Sequence, residues 1–167
     1  MRARGLRVGV MKPVDTLESK DAQALALAVG STMPMDLICP YRYRFTSVPA
    51  DAPDLAHITK CFNEIAAQTD VMLLEAADLI DFTELAATLD LEVIVIVGNR
   101  PGSAEAATLM IQRCDDKGLK IAGYVLCDCD PTTAVNDESL QQIIKAPYLG
   151  RMRHREPLAR TIVEKLV

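Results

Sequence analysis

Apolar residues follow two patterns along this chain, and each pattern predicts a different kind of element. In the first, apolar residues follow one another almost without interruption, which is typical of strands that are covered on both faces. Such runs lie at 6–11, 70–74, 92–97, 120–126 and 148–152. In the second, apolar residues recur at helical spacing, as at Leu55, Ile58, Phe62 and Ile65, which predicts an amphipathic helix within 54–68.

Polar and glycine residues predict where the helices begin and end. Ser19 is the predicted N-cap of a helix that ends before Gly30. Asp81 and Glu84 have the spacing of a capping box, which predicts the start of another helix. Three further helices are predicted at 103–118, 138–144 and 156–166.

The alternation of strands and helices predicts an α/β fold. We expect residues 1–167 to form a single layered α/β/α domain, with a mostly parallel sheet of about five strands. The segment 35–55 is the exception, because its prolines, aromatic residues and arginines fit no regular element. A loop of this length is either functional or a surface excursion, here anchored by Tyr41 and Phe45.

Composition and charge exclude several kinds of partner. The net charge of −5 and the pI near 5.0 argue against nucleic acid and anionic membranes. No apolar run reaches the roughly 20 residues of a membrane span, and the start of the chain lacks the cleavage region of a signal peptide. The five cysteines are an odd number and predict reduced thiols in a cytoplasmic protein.

The stretch "GLRVGVMKPVDT" at 5–16 carries the first candidate chemistry. A predicted strand runs directly into Lys12, and Thr16 follows shortly after. Ligand sites of open α/β sheets lie at such strand ends. No Gly-rich turn ending in Gly-Lys-Ser/Thr, which would cradle a phosphate, occurs in the chain.

The order of seven stretches along the chain is similar to that in dethiobiotin synthetases. The stretches are "GLRVGVMKPVDT", "DAQALALA", "PYRYRFTSVPADAP", "DVMLLEAA", "DFTELAATLDLEVIVIVGNRPGS", "KGLKIAGYVLC" and "PYLGRM". This resemblance implies the fold of P-loop NTPases, the use of ATP and Mg²⁺, and a homodimer. It also implies carboxylation of a diamino fatty acid and closure of the ureido ring of dethiobiotin, a chemistry that needs cations near the phosphates and the carbamate.

The resemblance implies roles for four residues. Lys12 matches a lysine that contacts the carbamate and phosphate, and Thr16 a residue that lines the substrate site. Asp21 and Glu75 match two magnesium-side carboxylates. A plainer interpretation stays open for each: a solvated strand end for Lys12, a turn threonine for Thr16, a first-turn helix charge for Asp21 and a strand-end carboxylate for Glu75.

The chain also departs from the family pattern. The P-loop that should precede residue 5 is missing. At the position where the family has an asparagine that reads adenine, this chain has a thiol, which cannot present the paired donor and acceptor of an amide. That thiol belongs to Cys127, and Arg153 lies in a second nucleotide-side segment. The altered positions are Ala76 and Ala77 in place of a glycine loop, Glu105 and Ala106 in place of an Asn-His pair, Cys127 at the adenine position, and Arg151, Arg153 and His154 at the nucleotide-side turn.

The stretch "CDCD" at 127–130 raises the question of a metal site. The chain has two histidines and no second cysteine cluster to complete four ligands. We therefore interpret Cys127 and Cys129 as unrelated cysteines at a strand end.

Two functional alternatives remain open. In the first, the chain is a degenerate dethiobiotin synthetase homologue that serves as a binding or assembly domain, with a small anion near Lys12 and no use of ATP or Mg²⁺. In the second, it is a fragment of a true synthetase, an ATP-dependent cyclo-ligase whose P-loop is encoded upstream. The altered positions favour the first alternative, because truncation would not change Cys127, Ala106 or Arg153.

Overall fold

Strands and helices alternate through the part of the chain that the computed structural model describes, which is residues 5–44, 52–76, 80–128 and 137–153. The strands are β1 (Val8–Met11), β2 (Val14–Thr16), β3 (Tyr41–Tyr43), β4 (Val71–Leu74), β5 (Val93–Gly98), β6 (Ile121–Cys127) and β7 (Tyr148–Met152). The helices are α1 (Asp21–Val29), α2 (Met35–Ile38), α3 (Leu55–Ala66), α4 (Phe82–Thr88), α5 (Ser103–Asp116) and α6 (Asp137–Ile143). Each of the five predicted strands is present.

The chain divides into two units, Met1–Leu85 and Ala86–Val167. In the first unit β1 pairs with β4 and β2 with β3, and in the second unit the strand order is β5-β6-β7. Every one of these ladders is parallel. The predicted α/β class with parallel pairing is thus confirmed, whereas a single domain over 1–167 stays a prediction.

The core of the first unit forms where α1, α2 and α3 cover β1. Val10 and Ile65 are buried there with residues from α1 and α2. Gly9 lies in the same strand opposite Met72, and a β-carbon at Gly9 would overlap the Met72 sulfur and lie 2.8 Å from Ile65 Cγ2. A glycine is therefore needed at this position for β4 and α3 to approach β1 so closely.

The core of the second unit forms between α5, α6 and one face of the β5-β6-β7 sheet. Val95 and Val97 alternate inward along β5, and Tyr124 and Leu126 do the same along β6. Helix α5 contributes Ala104, Ala107 and Ile111 to this cluster. The carboxyl ends of the three strands are left for polar residues.

Segment 35–55 was expected to contain no regular element, and this expectation is wrong. Helix α2 and strand β3 lie within it, because Tyr41 N–H donates to the Pro13 carbonyl and β3 then pairs with β2. Ile38 and Cys39 are buried on the way. The predicted anchor Phe45 and the predicted helix at 156–166 lie outside the described residues.

The predicted start of α1 is also one residue off. Lys20 is the N-cap, and the Ser19 hydroxyl instead accepts the N–H of Asp21 at 3.1 Å. The predicted end is confirmed, since Gly30 closes the helix in a left-handed conformation with φ of 57°. Among the described helices, none has both the length and the apolar composition needed to cross a membrane.

Candidate functional site

A lysine and two carboxylates meet at the carboxyl end of the β1-β4 ladder. Met11 pairs with Leu74 at the end of the ladder, so the next residue of each strand, Lys12 and Glu75, lies side by side. The Lys12 Nζ donates to Glu75 Oε1 at 2.8 Å. Asp21, the first residue of α1, brings its Oδ2 to 3.4 Å from the same nitrogen. The resemblance assigns roles to four residues, and the structure brings three of them together; Thr16 is the exception.

Burial and charge act in opposite directions on Lys12. Its side chain is only 8% exposed, and burial alone would lower the pKa of the ammonium. The hydrogen bond and charge of Glu75, the hydrogen bond to Asp21 and the charge of Asp15 together outweigh burial, so the pKa of Lys12 is raised. The lysine is therefore held as a cation by the carboxylates around it.

The two carboxylates of the cluster differ in how firmly they are held. Asp21 is 61% exposed and lies at the longer distance from Lys12, whereas Glu75 is 45% exposed and makes the shorter contact. An arriving anion would therefore displace Asp21 from the ammonium more easily than Glu75.

Asp15, a residue that sequence reasoning missed, lies beside this cluster. It is 7% exposed, and its carboxylate accepts the N–H of Thr16 at 2.8 Å and that of Ala22 at 3.4 Å. The only signal in the sequence was its place in "KPVDT", between two residues already named as candidates.

Thr16, predicted to line the substrate site, takes part in the turn that leads to α1. Its hydroxyl oxygen accepts the N–H of Ser19 at 3.1 Å, and its side chain is half-buried. This geometry accounts for Thr16 as a turn residue, and its role toward a substrate stays a prediction.

A cation at this cluster would have few protein ligands. Within the described residues, no group of three or more His, Cys, Asp and Glu side chains is placed to hold a metal ion. Asp21 and Glu75 offer two carboxylates. Mg²⁺ is commonly bound by one or two carboxylates and completes its shell with water and phosphate oxygens. The donor set therefore fits a magnesium ion that arrives with a phosphate.

A second polar cluster lies at the carboxyl ends of β5, β6 and β7, in the second unit. Asn99 is 1% exposed and donates its side-chain amide to Asp128 Oδ1 at 2.7 Å. Arg151 donates to both oxygens of Asp128, from Nε at 2.9 Å to Oδ2 and from Nη2 at 2.7 Å to Oδ1. The hydrogen bond from Arg151 lowers the pKa of Asp128, with smaller contributions from Asn99 and Arg153.

The two predicted nucleotide-side residues lie next to this second cluster. Cys127 is half-buried at the end of β6, and its carbonyl accepts the N–H of Asn99 at 2.7 Å. Arg153 is exposed beyond the end of β7. Their role toward a nucleotide stays a prediction, but the carboxylate of Asp128 is already occupied by a guanidinium and an amide.

Comparison with protein families identifies what the chain is similar to. A family model described as "AAA domain" matches residues 1–161. The ATP-dependent dethiobiotin synthetase BioD of Anaeromyxobacter dehalogenans (strain 2CP-C) is 32% identical over 95% of this chain and 77% of its own length. The corresponding protein of Xylella fastidiosa (strain M12) is 31% identical over 94% of this chain and 81% of its own length.

Solved structures share the fold at low sequence identity. A ParA family ATPase from Chlorobium tepidum TLS has a TM-score of 0.55 and 14% identity, covering 96% of this chain and 76% of that one. The septum site-determining protein MinD from Pyrococcus horikoshii OT3, solved with Mg-ADP, has a TM-score of 0.56 and 14% identity, covering 98% and 75%. At this identity the likeness concerns the fold alone.

Proposed function

Because this chain belongs to the ATP-dependent dethiobiotin synthetase family, we propose that it keeps the lysine–carboxylate site of that family as an anion-binding site. In this proposal the 167 residues bind a small anion at Lys12 and do not carry out ATP-dependent ligation. The observation that carries the proposal is the convergence of Glu75 and Asp21 on one buried ammonium, at 2.8 Å and 3.4 Å. The chain then works as a binding or assembly domain.

The charge balance of the cluster supports binding of an anion with its counter-ion. One ammonium faces the carboxylates of Glu75 and Asp21, and the buried carboxylate of Asp15 lies nearby. An anion that replaced Asp21 at Lys12 would leave that carboxylate free to bind a cation. Phosphate or carbamate together with Mg²⁺ satisfies both requirements.

ATP and Mg²⁺ are implied for the family and fold as a whole. In this chain, Asp21 and Glu75 would hold the magnesium, which would neutralise charge on phosphate oxygens when bound. Lys12 would orient the anion through charge-assisted hydrogen bonds.

Two features of the sequence and structure argue against phosphoryl transfer by these 167 residues. Phosphoryl transfer depends on positioning and charge stabilisation by a loop of backbone N–H groups, and no Gly-x-x-x-x-Gly-Lys-Ser/Thr motif occurs in them. Cys127 also stands at the position to which the resemblance assigns recognition of adenine, and the ion pair of the next residue, Asp128, with Arg151 lies beside it. A thiol and a carboxylate lack the donor–acceptor pair that an amide offers to adenine.

A second candidate function is that the chain forms part of an active synthetase, an ATP-dependent cyclo-ligase. The same convergence of Lys12, Asp21 and Glu75 favours it, since an active site of this family would need these groups together. For either candidate we also infer a homodimer from the family resemblance and a cytoplasmic location from the reduced cysteines.

The deciding experiment measures turnover and binding with the same preparation. The purified chain is incubated with ATP, Mg²⁺, bicarbonate and the diamino fatty acid in a coupled ADP-release assay, and it is titrated calorimetrically with ATP and, separately, with inorganic phosphate plus Mg²⁺. The proposal predicts no turnover, no heat with ATP and saturable heat with phosphate. Lys12→Ala should abolish the phosphate heat, and Lys20→Ala, at an exposed lysine of the same segment, should leave it unchanged.

The alternative predicts different results. Turnover above the blank that Lys12→Ala abolishes would overturn the proposal in favour of an active enzyme. A chimera gives a second test. It joins this chain to the segment that precedes the matching region in the Anaeromyxobacter relative, and it should show turnover if the rest of the active site is intact in this chain. If the chain binds no phosphate, and neither the chain nor the chimera shows turnover, both candidates are contradicted.

A further inference from the structure

Asp15 is a buried carboxylate whose contacts are to backbone N–H groups. It lies in β2, and its two oxygens accept from Thr16 N–H and Ala22 N–H. Ala22 is the second residue of α1, so the second of these bonds closes the start of a helix. The N-cap residue Lys20 makes no side-chain cap bond itself. Asp15 therefore caps α1 from seven positions upstream, outside the helix.

Two more side chains accept backbone N–H groups within the segment between Asp15 and Ala22. The hydroxyl of Thr16 accepts the N–H of Ser19, and the hydroxyl of Ser19 accepts the N–H of Asp21. The backbone on both sides of Asp21 is thus tied to a side-chain acceptor. Asp21 itself is 61% exposed, so packing of its own side chain does little to hold it.

We propose that Asp15 is a positioning residue, which fixes Asp21 at ion-pair distance from Lys12 and so sets how tightly the cluster binds an anion. Lys12 directly follows β1 and Asp21 opens α1, and the Asp15 carboxylate joins β2 to the first turn of α1. This proposal rests on the proposed function in one respect, namely that the cluster of Lys12, Asp21 and Glu75 binds a ligand.

The competing explanations are that Asp15 only stabilises a helix, or that it acts on Lys12 only through its own charge. Asp54 provides a matched control for the first, because it is an aspartate in the same unit that caps α3 by accepting the N–H of Ala56 at 2.9 Å. The second is tested by a double-variant comparison, since effects that pass through Asp21 cannot add to the loss of Asp21.

The test measures how fast Lys12 is acetylated relative to Lys20 at pH 8, by isotope-coded labelling and mass spectrometry of the folded chain. Because Lys12 reacts only when its amine leaves the carboxylates, the rate reports how firmly Asp21 and Glu75 hold it. Asp15→Asn keeps one acceptor but places an amide NH₂ where an N–H must be accepted. We expect Lys12 to be acetylated ~3-fold faster in this variant, because Asp21 is then held less firmly against the ammonium.

The variants Asp21→Asn and Asp15→Asn/Asp21→Asn complete the comparison. The charge of Asp15 also acts on Lys12 directly. We therefore expect Asp15→Asn to accelerate acetylation much less in the Asp21→Asn background than in the wild type, and Asp54→Asn to match the wild type. Additive effects of Asp15→Asn and Asp21→Asn would overturn the proposal, and so would an equal acceleration in Asp54→Asn. If Asp15→Asn does not fold, Ser19→Ala replaces it, because the Ser19 hydroxyl accepts the N–H of Asp21. We then expect faster acetylation of Lys12 in Ser19→Ala, and an unchanged acetylation rate overturns the proposal.

A calorimetric titration with inorganic phosphate and Mg²⁺ separates this proposal from the proposed function. Because Asp21 competes with an arriving anion for Lys12, Asp15→Asn should tighten phosphate binding ~3- to 10-fold, in keeping with the worth of one charged contact, and Asp54→Asn should leave it unchanged. If the wild type binds no phosphate while the acetylation effects are non-additive, only the proposed function fails. If the wild type binds phosphate and the acetylation effects add, only the positioning role of Asp15 fails.

Discussion

The Lys12 ammonium and the Glu75 carboxylate meet because the two strands that precede them end in register. Met11 pairs with Leu74, and the following residue of each strand places its charged group 2.8 Å from the other. The lysine side chain is buried, whereas the glutamate is nearly half exposed. A buried cation thus depends on a carboxylate that solvent and ligands can reach.

Glu75→Gln should destabilise the first unit and lower the pKa of Lys12. The amide can still accept a hydrogen bond but no longer compensates the buried charge. We expect a loss of ~1 kcal/mol in the free energy of unfolding, reduced from the value for a buried pair because Glu75 is partly exposed. Urea unfolding would measure this loss. Glu64→Gln, at an exposed position of α3, should cost almost nothing, and an equal loss in both variants would contradict the prediction.

The ion pair between Arg7 and Asp70 should make stability depend on pH in the acid range. Hydrogen bonds from the Arg7 side chain and backbone lower the pKa of Asp70 from 3.8 to about 2. A lowered carboxyl pKa contributes stability that is complete above the unfolded pKa and is lost as the pH falls through the folded pKa. Stability should therefore fall between about pH 4 and about pH 2.

Arg7→Gln should flatten the stability curve in that acid window, because the pKa of Asp70 then returns toward its ordinary value. The measurement is urea unfolding at a series of pH values, repeated at high salt, where the exposed pair is screened. Asp36→Asn, at an exposed aspartate of α2, serves as control. An unchanged slope in Arg7→Gln would show that other carboxylates cause the acid loss.

Asp81→Ala should weaken the start of α4 more than the loss of an ordinary cap. Asp81 Oδ1 accepts from both the N–H of Thr83 at 2.9 Å and its hydroxyl at 2.6 Å, and Thr83 is fully buried. We expect a loss of ~2 kcal/mol in the free energy of unfolding, because the helix loses its cap and the buried Thr83 hydroxyl loses the carboxylate to which it donates. In Asp81→Ala/Thr83→Val the second change should cost less than Thr83→Val alone, and strictly additive losses in thermal unfolding would refute this account.

Arg151→Lys should destabilise the carboxyl end of the β5-β6-β7 sheet. The guanidinium donates to both oxygens of Asp128, which is 13% exposed, and an ammonium cannot reproduce this fork. We expect a loss of ~1–2 kcal/mol in the free energy of unfolding and a rise in the pKa of Asp128. The pKa can be followed by NMR of the carboxyl carbon. Arg100→Lys, at an exposed position, should change neither quantity.

The elements that could not be predicted from the sequence are α2, β2 and β3, which have three or four residues each. Runs such as 92–97 are apolar enough to identify a covered strand, and the stripe of α3 is regular. Strands β2 and β3 have three residues each and carry Asp15 and Arg42 at their centres. Their structure comes from pairing with each other, which local patterns do not record.

The candidate site was predictable to the extent that it follows strand ends. Lys12 and Glu75 each come directly after an apolar run, so their meeting follows from parallel strands. The same reasoning applied to Asn99 and Asp128 would have located the second cluster. The cap from Asp15 to Ala22 spans seven residues and depends on how β2 turns into α1, so no spacing rule indicates it.

Gly9 has a consequence for the alignment of the two strands that carry Lys12 and Glu75. Two short apolar strands can slide past each other by two residues without turning any side chain to the opposite face. Such a slide in β1 would put Arg7 or Met11 opposite Met72 in place of Gly9, where even a β-carbon overlaps the Met72 sulfur. Gly9 thus leaves room for the Met72 side chain in the observed alignment, which is the alignment that makes Lys12 and Glu75 neighbours.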